Sequence, residues 1–381
     1  MKSRERVLKT VMFEEPDRVP LFEIPPSLKV LSEIFNEDLA NLLALFASVD
    51  GRTSEETWKK LIKMYKQIGL DCFCTSGIGN PFKAIPLENH KVVDVWGRIF
   101  SLAYGFTTSP FYVGPYLTSR EKYEAFPRPD PLDEYNLNQL KSAIKAAGDD
   151  MLVIAGVGSI WEVQGEALGF DNALKYIYTD PVFLRKVLND STRYAIELGK
   201  ASIDLGAEIL LLWDDYGYRH GPMMSPKHWK EFIYPCLKKV ADEFHKRGAF
   251  LMIHSDGNIR PLMDMIIEAG VDLIQPLEPA AGMDIVEVAE KWGGKICLVG
   301  NIDVSYLLPF GTREDVIESV KRAISAAAPG GGYILGSGHM INDACKPENF
   351  LAMVETGKKF GKYPVILTNF SGSNQIMAPK L

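Results

Sequence analysis

AFLMIHSDGNIRPLMDMIIEAGVDLIQPLE, residues 249–278, reads as strand, polar turn, amphipathic helix and second strand. Phe250 to Ile253 is a short apolar run, and HSDGN at 254–258 breaks it with polar side chains and a glycine. Ile259, Leu262, Met263, Ile266 and Ile267 then recur at i, i+3, i+4, i+7 and i+8, one face of a helix. Gly270 ends the helix, and 271–275 begins the next strand. A strand feeding a helix feeding a parallel strand is a βαβ unit. Its polar residues stand at the strand end, where folds of this kind bind ligands.

The same alternation extends in both directions. Towards the C-terminus, strand candidates lie at 295–299 and 332–335, with helices at 284–291 and 313–327. Towards the N-terminus, strands are expected at 151–156 and 207–212, with helices near 160–178, 181–204 and 226–247 and the opening unit's helix at 259–269. Earlier still, 3–13 reads as a helix, 19–24 as a first strand, 27–68 as helical in two or three pieces, and 69–74 as a second strand. That makes eight strands with helices between them, an α/β chain with the count of a (β/α)8 TIM barrel. An open doubly wound sheet is the competitor, but no Gly-rich dinucleotide loop interrupts the alternation and connection length never switches. Residues 91–113 are expected to form inserted β-hairpins, 126–134 a Pro-rich crossing, and 364–381 a weakly patterned tail. All of 1–381 is taken as one barrel domain with an N-terminal helical extension.

Composition bounds the function. The chain has 46% hydrophobic and 24% charged residues, so a large buried core is expected. A net charge of −7, from 42 basic and 49 acidic residues, argues against nucleic acid as the main partner. No apolar stretch approaches the roughly 18–20 residues of a membrane span, and MKSRERVLKT has no apolar run behind it, so neither membrane insertion nor a signal peptide is expected. Five cysteines, an odd number in mostly apolar settings, fit a reduced cytoplasmic protein.

Barrel strands end in one shared mouth. There the sequence collects Glu23, Trp213 to Tyr218, His254-Ser255-Asp256, Gln275 to Glu278, Asn301 to Asp303 and Gly336 to His339. Such a mix of carboxylates and imidazoles suits cation binding or proton transfer. A divalent metal held by His254, Asp256 and His339 is one reading, since i and i+2 of an extended segment share a face and three ligands leave a position open. The alternative is that both histidines orient a substrate by hydrogen bonding. Of the adjacent pair Asp214-Asp215, one is expected to face the cavity as acid, base or ligand and the other to anchor the loop through Arg219; an N-cap role for Asp215 stays open. Trp161, Tyr216, Tyr218 and Met223 are candidates to line an apolar pocket, or else core.

Several motifs together resemble the uroporphyrinogen decarboxylase superfamily: MKSRERVLKTVMFEEPDRVP at the start, Asp214-Asp215-Tyr216-Gly217 followed by GPMMSP at 221–226, the 254–284 stretch, LVGNIDV, and APGGGYILGSGHMI with PENFLAMVE. The similarity runs from about residue 2 to about 360 and implies the barrel. It is closer to the corrinoid-linked methyltransferases than to true decarboxylases, whose Arg-rich segment after the first strand has no counterpart in IPPSLKV at 24–30. The methyltransferase branch holds zinc through a His-x-Cys-Gly segment and a later cysteine. Here Asp256 stands in the first cysteine's place and His339 at or near the second's, a harder N/O set that still suits zinc; Cys345 is an alternative third ligand. The resemblance implies transfer of a methyl group from a small donor (an aryl methyl ether, methylamine or betaine) to a corrinoid carried by a partner protein. Asp214, Asp215 or His339 would act as the acid, Glu23, Trp161, Tyr216, Tyr218, Met223 and Asn301 would bind substrate, and a homodimer would be usual. Decarboxylation of an acidic substrate and a non-catalytic binding barrel are the alternatives.

Overall fold

Eight short apolar runs pair in parallel and in sequence order in the computed structural model, which describes residues 1–39, 51–102 and 111–365. They are β1 (Phe22–Glu23), β2 (Cys72–Cys74), β3 (Leu152–Gly156), β4 (Ile209–Trp213), β5 (Phe250–His254), β6 (Leu273–Gln275), β7 (Cys297–Ile302) and β8 (Tyr333–Ser337). A bridge between Leu21 and Leu335, with Leu335 N donating to Pro20 O at 2.9 Å, brings the first and last strands together. The chain is a (β/α)8 TIM barrel, as the strand count predicts.

Alternation along the strands sorts the core into two compartments. Cys72, Cys74, Leu152, Ile154, Ile209, Leu211, Met252, Leu273, Cys297, Val299 and Ile334 pack together inside the barrel. Their sequence neighbours, such as Phe73, Val153, Leu210, Leu251 and Leu298, pack outward with the helices. Val7 and Val11 of the N-terminal helix Ser3–Val11 join the inner cluster. All five cysteines are buried and unpaired. No helix among the described residues is long and apolar enough to cross a membrane.

The predicted helices at 181–204 and 313–327 match Pro181–Asp204 and Arg313–Ala327. Others break where local chemistry intervenes. Gly169, at φ +82°, separates Glu162–Leu168 from Phe170–Thr179. The stretch 226–247 forms two pieces, Pro226–Phe232 and Tyr234–His245, with Pro235 opening the second. The helix expected over 259–269 is only Met263–Glu268. Two barrel helices were not anticipated, Glu134–Ala147 and Pro347–Phe360. The first carries Leu137, Leu140 and Ile144 in helical spacing, directly behind the Pro-rich crossing. The hairpin region is a four-stranded antiparallel sheet, Ile85–Leu87, Lys91–Val93, Arg98–Ser101 and Phe111–Pro115, so it starts earlier than residue 91. Residues 103–110 of that region, 40–50 of the early helical stretch and 366–381 of the tail lie outside the described residues.

One ion cluster ties the N-terminal helix to β1 and β2. Asp71 is fully buried and accepts from Arg6 Nη1 at 2.7 Å, Arg18 Nη1 at 2.7 Å, Ser3 Oγ at 2.7 Å and Leu21 N at 2.9 Å. Arg6, also buried, reaches Asp17 as well. Removing one partner leaves a buried charge uncompensated. Asp71→Ala is therefore expected to cost about 3–5 kcal/mol in a urea unfolding experiment, and Arg4→Ala, at an exposed pair, less than about 1 kcal/mol.

Candidate metal centre

β5 delivers its last residue, His254, into the barrel mouth because Met252, two positions earlier, points inward. His254 is buried and lies in register with Trp213 of β4 and Gln275 of β6. Its Nδ1 donates to Gln275 Oε1, and that bond leaves the Nε2 lone pair aimed across the mouth. Trp213 packs against one side of the ring, centroids 5.2 Å apart, and His339 against another at 5.6 Å.

Asp256 follows His254 by two residues in the β5 turn. Its Oδ1 lies 3.6 Å from His254 Nε2, and its Oδ2 lies 3.0 Å from Nε2 of His339, which arrives from the β8 loop. One ligand atom from each of the three falls within 4.8 Å of the other two. Asp256 Oδ1 is buried without a hydrogen-bond partner. A buried carboxylate oxygen left unpaired costs free energy unless something positive meets it. Two imidazoles, one carboxylate and that orphaned oxygen fit a divalent cation, which the three residues could hold.

The turn carrying Asp256 is pinned from both sides. Its amide donates to Asp215 Oδ1 at 2.7 Å, and the Gly257 amide donates to Glu278 Oε2 at 2.9 Å. Gly257 adopts φ +78°, and a Cβ there would come within 2.4 Å of the Gly217 carbonyl carbon, so the β4 and β5 loops touch backbone to backbone. Tyr216 N donates to Ser255 Oγ and Asn258 N to Tyr218 O, completing the seam. Beside His339 opens a cleft of about 200 Å³, lined by Glu278, Pro279, Asp303, Val304, Ser305, Gly338, His339 and Asn342.

Electrostatics divide the ionisable groups. Burial lowers the pKa of His254, against the pull of Asp256, and favours its neutral, lone-pair-bearing form. His339 rises despite burial, because Asp256 bonds it and Asp215 and Glu278 add negative charge. Asp256 falls although burial opposes it, through the two histidines. Burial, then the Asp256 charge, push Asp215 well above the usual carboxylate range. Burial, then Asp215 and Glu166, do the same to Glu162.

A sequence profile described as Uroporphyrinogen decarboxylase (URO-D) matches residues 101–360. The chain belongs to that family. It is 24% identical over 259 residues to a uroporphyrinogen decarboxylase of Pseudoalteromonas atlantica, covering 64% of this chain and 69% of that protein. Against the uroporphyrinogen decarboxylase of Vibrio vulnificus the identity is 25% over 277 residues, covering 68% and 74%. A solved structure described as a methyltransferase from Methanosarcina mazei shares the fold at TM-score 0.69 and 18% identity, covering 94% of this chain and 99% of that one.

Within this family barrel the residues singled out from sequence take different places. His254, Asp256 and His339 come together. The Asp214-Asp215 side chains take different places, and neither is anchored by Arg219 in the way the sequence suggests. Asp214 is fully buried and accepts from Ser159 Oγ, from the amides of Ile160, Trp161 and Glu162, and from the Tyr216 hydroxyl at 2.7 Å. It ties the β3 loop to β4, which leaves it no free oxygen for a substrate. Asp215 caps no helix; it faces His254 at 3.9 Å. Trp161 and Tyr216 are core residues, Tyr216 packing edge-on against Trp229. Tyr218 is exposed on the turn after β4, and Met223 packs against the outer core. The expected apolar pocket is thus not built by these four, because the core takes Trp161 and Tyr216. Asn301 Nδ2 donates to the carbonyls of Leu277 and Met283, both at 2.6 Å, bracing the β6 loop. Cys345 is buried, its thiol 3.8 Å from Asn342 Oδ1, outside the three-residue group. Trp213, Gln275 and Glu278 stand at strand ends with no local signal of their roles, and Glu162 lies outside those ends; strand register singles out Gln275 and Trp213.

Glu23 lies in the barrel's upper wall, fully buried, and burial pushes its pKa to about 8. Ser337 N donates to Glu23 Oε1 at 2.9 Å, while Ser337 Oγ contacts both Glu23 Oε2 and the His339 carbonyl. One hydroxyl proton serves one acceptor, so a protonated Glu23 supplies the second hydrogen bond. The folded pKa exceeds the unfolded one, so this contribution is complete below about pH 4.5 and disappears as pH rises through about 8. Glu23→Gln, which mimics the protonated form, is expected to lose no stability at pH 7. In melting curves its advantage over the parent should grow from pH 5 to pH 8. At the imidazole, Gln275→Leu should lower divalent-cation affinity about 10- to 100-fold in chelator competition with the fold retained.

Proposed function

We propose that this chain is a methyltransferase that moves a methyl group from a small donor to a reduced corrinoid carried by a separate protein. The observation that supports this most is the convergence of His254, Asp256 and His339 around the unpartnered Asp256 Oδ1. Lewis acidity from a divalent ion at these three residues would offset the negative charge that the leaving oxygen or nitrogen gains.

Each surrounding residue has a definable task. Gln275 holds the His254 ring in the tautomer that presents Nε2. Trp213 covers the inner side of that ring, its own Nε1 donating to Ser76 O at 2.7 Å, and keeps water off it. Asp215 and Glu278 fix the backbone on either side of Asp256. The cleft beside His339 admits the donor, with Ser305 and Asn342 available as neutral hydrogen-bonding groups.

Relatives carry the name uroporphyrinogen decarboxylase, so decarboxylation is the competing activity. The cleft lining disfavours it: it contains Glu278 and Asp303 and neither Lys nor Arg. A substrate with several carboxylates would meet like charge there.

The deciding assay mixes the purified, metal-loaded protein with reduced cobalamin and an aryl methyl ether, a methylamine or a betaine. Methylcobalamin should form, followed by its absorbance. His254→Ala should slow it by about a hundredfold or more, since loss of Lewis-acid stabilisation is worth several kcal/mol. Decarboxylation of uroporphyrinogen without any methyl transfer would overturn the proposal.

A further inference from the structure

The ligand set contains no sulfur. Cys72, Cys74 and Cys297 are packed inside the barrel, Cys236 lies in the outer helical layer and Cys345 is turned to Asn342, so none of the five belongs to the three-residue group. Thiolates select for tetrahedral zinc; two imidazoles and one carboxylate with open positions beside them do not, and the set occurs at ferrous sites as well as at catalytic zinc.

The surroundings point the same way. His254 lies on the barrel wall, while His339, with its side chain 44% exposed, borders the cleft. On that open side are oxygen donors: Glu278, Asp303, Ser305 and Asn342. Asp215 lies at 3.9 Å from His254 Nε2 on another side, its Oδ1 already engaged by the Asp256 amide. About 200 Å³ of polar space can hold several waters, each with carboxylate or amide partners. An ion bound by the three residues therefore has room and hydrogen-bonding support for two or three further oxygen ligands.

We infer that His254, Asp256 and His339 hold a five- or six-coordinate divalent ion of the ferrous class, with water or substrate completing its shell from the cleft. A tetrahedral, thiolate-held zinc is what the family resemblance implies instead. The inference rests on the metal reading of this site and concerns which ion it holds and how many ligands that ion takes. Zinc binds a given N/O set more tightly than ferrous iron, so affinity alone does not decide between them. Coordination number does.

The test uses cobaltous ion as the spectroscopic probe. The full chain is stripped with a chelator and titrated anaerobically with Co²⁺. The expected visible band is weaker than that of a tetrahedral site. Loaded with Fe²⁺ and exposed to nitric oxide, the protein should give the electron paramagnetic resonance signal of a high-spin ferrous nitrosyl, which requires an open position. Asp256→Cys should strengthen the cobalt band and add a sulfur-to-metal charge-transfer band, showing what a thiolate at this position produces. Should that variant fail to fold, Asp256→Asn, which keeps an oxygen ligand and loses its charge, is expected to bind Co²⁺ more weakly with the band still weak. An intense, tetrahedral cobalt band in the parent chain would overturn this inference and leave the proposed methyl transfer standing. Absence of any stoichiometric Co²⁺, Fe²⁺ or Zn²⁺ binding would overturn both.

Discussion

The parallel register of β4, β5 and β6 is the constraint on which the site depends. It sets Trp213, His254 and Gln275 side by side at one level of the barrel. A slip of one residue would turn His254 outward among the helices and bring Ile253 into the mouth. Register also determines the tautomer, because Gln275 meets Nδ1 only when the two strand ends coincide. The buried apolar runs that hold the register, Leu251 and Ile253 outside and Met252 inside, lie far from any chemistry. Packing thus decides where the imidazole points, and the imidazole's direction decides what the mouth can bind.

Around that histidine the fold concentrates negative charge. Asp215, Asp256, Glu162, Glu278 and Asp303 gather near two imidazoles, and burial strengthens every interaction among them. Burial and mutual repulsion raise Asp215 and Glu162, while Asp256, between two histidines, falls. Burial raises Asp214 too, and the five donors that surround it oppose that rise. Two adjacent aspartates thus perform unlike tasks, one as a structural acceptor and one at the edge of the site. The glycines at 217 and 257 allow their loops to meet closely enough for that division.

Sequence reasoning located the three candidate ligands because each follows an apolar run that ends at the mouth. It misplaced Trp161 and Tyr216, since a large aromatic residue next to a strand end has the same local pattern whether it lines a pocket or fills the core. Asn301 looked like a substrate contact, yet its amide is consumed by two carbonyls of a loop more than fifteen residues away in sequence. Hydrogen bonds between distant segments leave no periodic trace. The helix at Glu134–Ala147 is hidden for a different reason: it directly follows the Pro-rich crossing, which masks its start.

By itself the sequence determined the strand count, the order of elements, the family resemblance and the identity of the candidate ligands, because hydrophobic period and local motif are written along the chain. Tertiary structure alone decided which polar groups are already spent. Asp214, Asn301 and Tyr216 are committed to the fold, whereas Asp256 retains an oxygen without a partner. That difference depends on how strands 3 to 8 and their loops close over one another. The stretch at 249–278 names the imidazole and carboxylate; only the closed barrel brings His339, Gln275 and Asp215 to them.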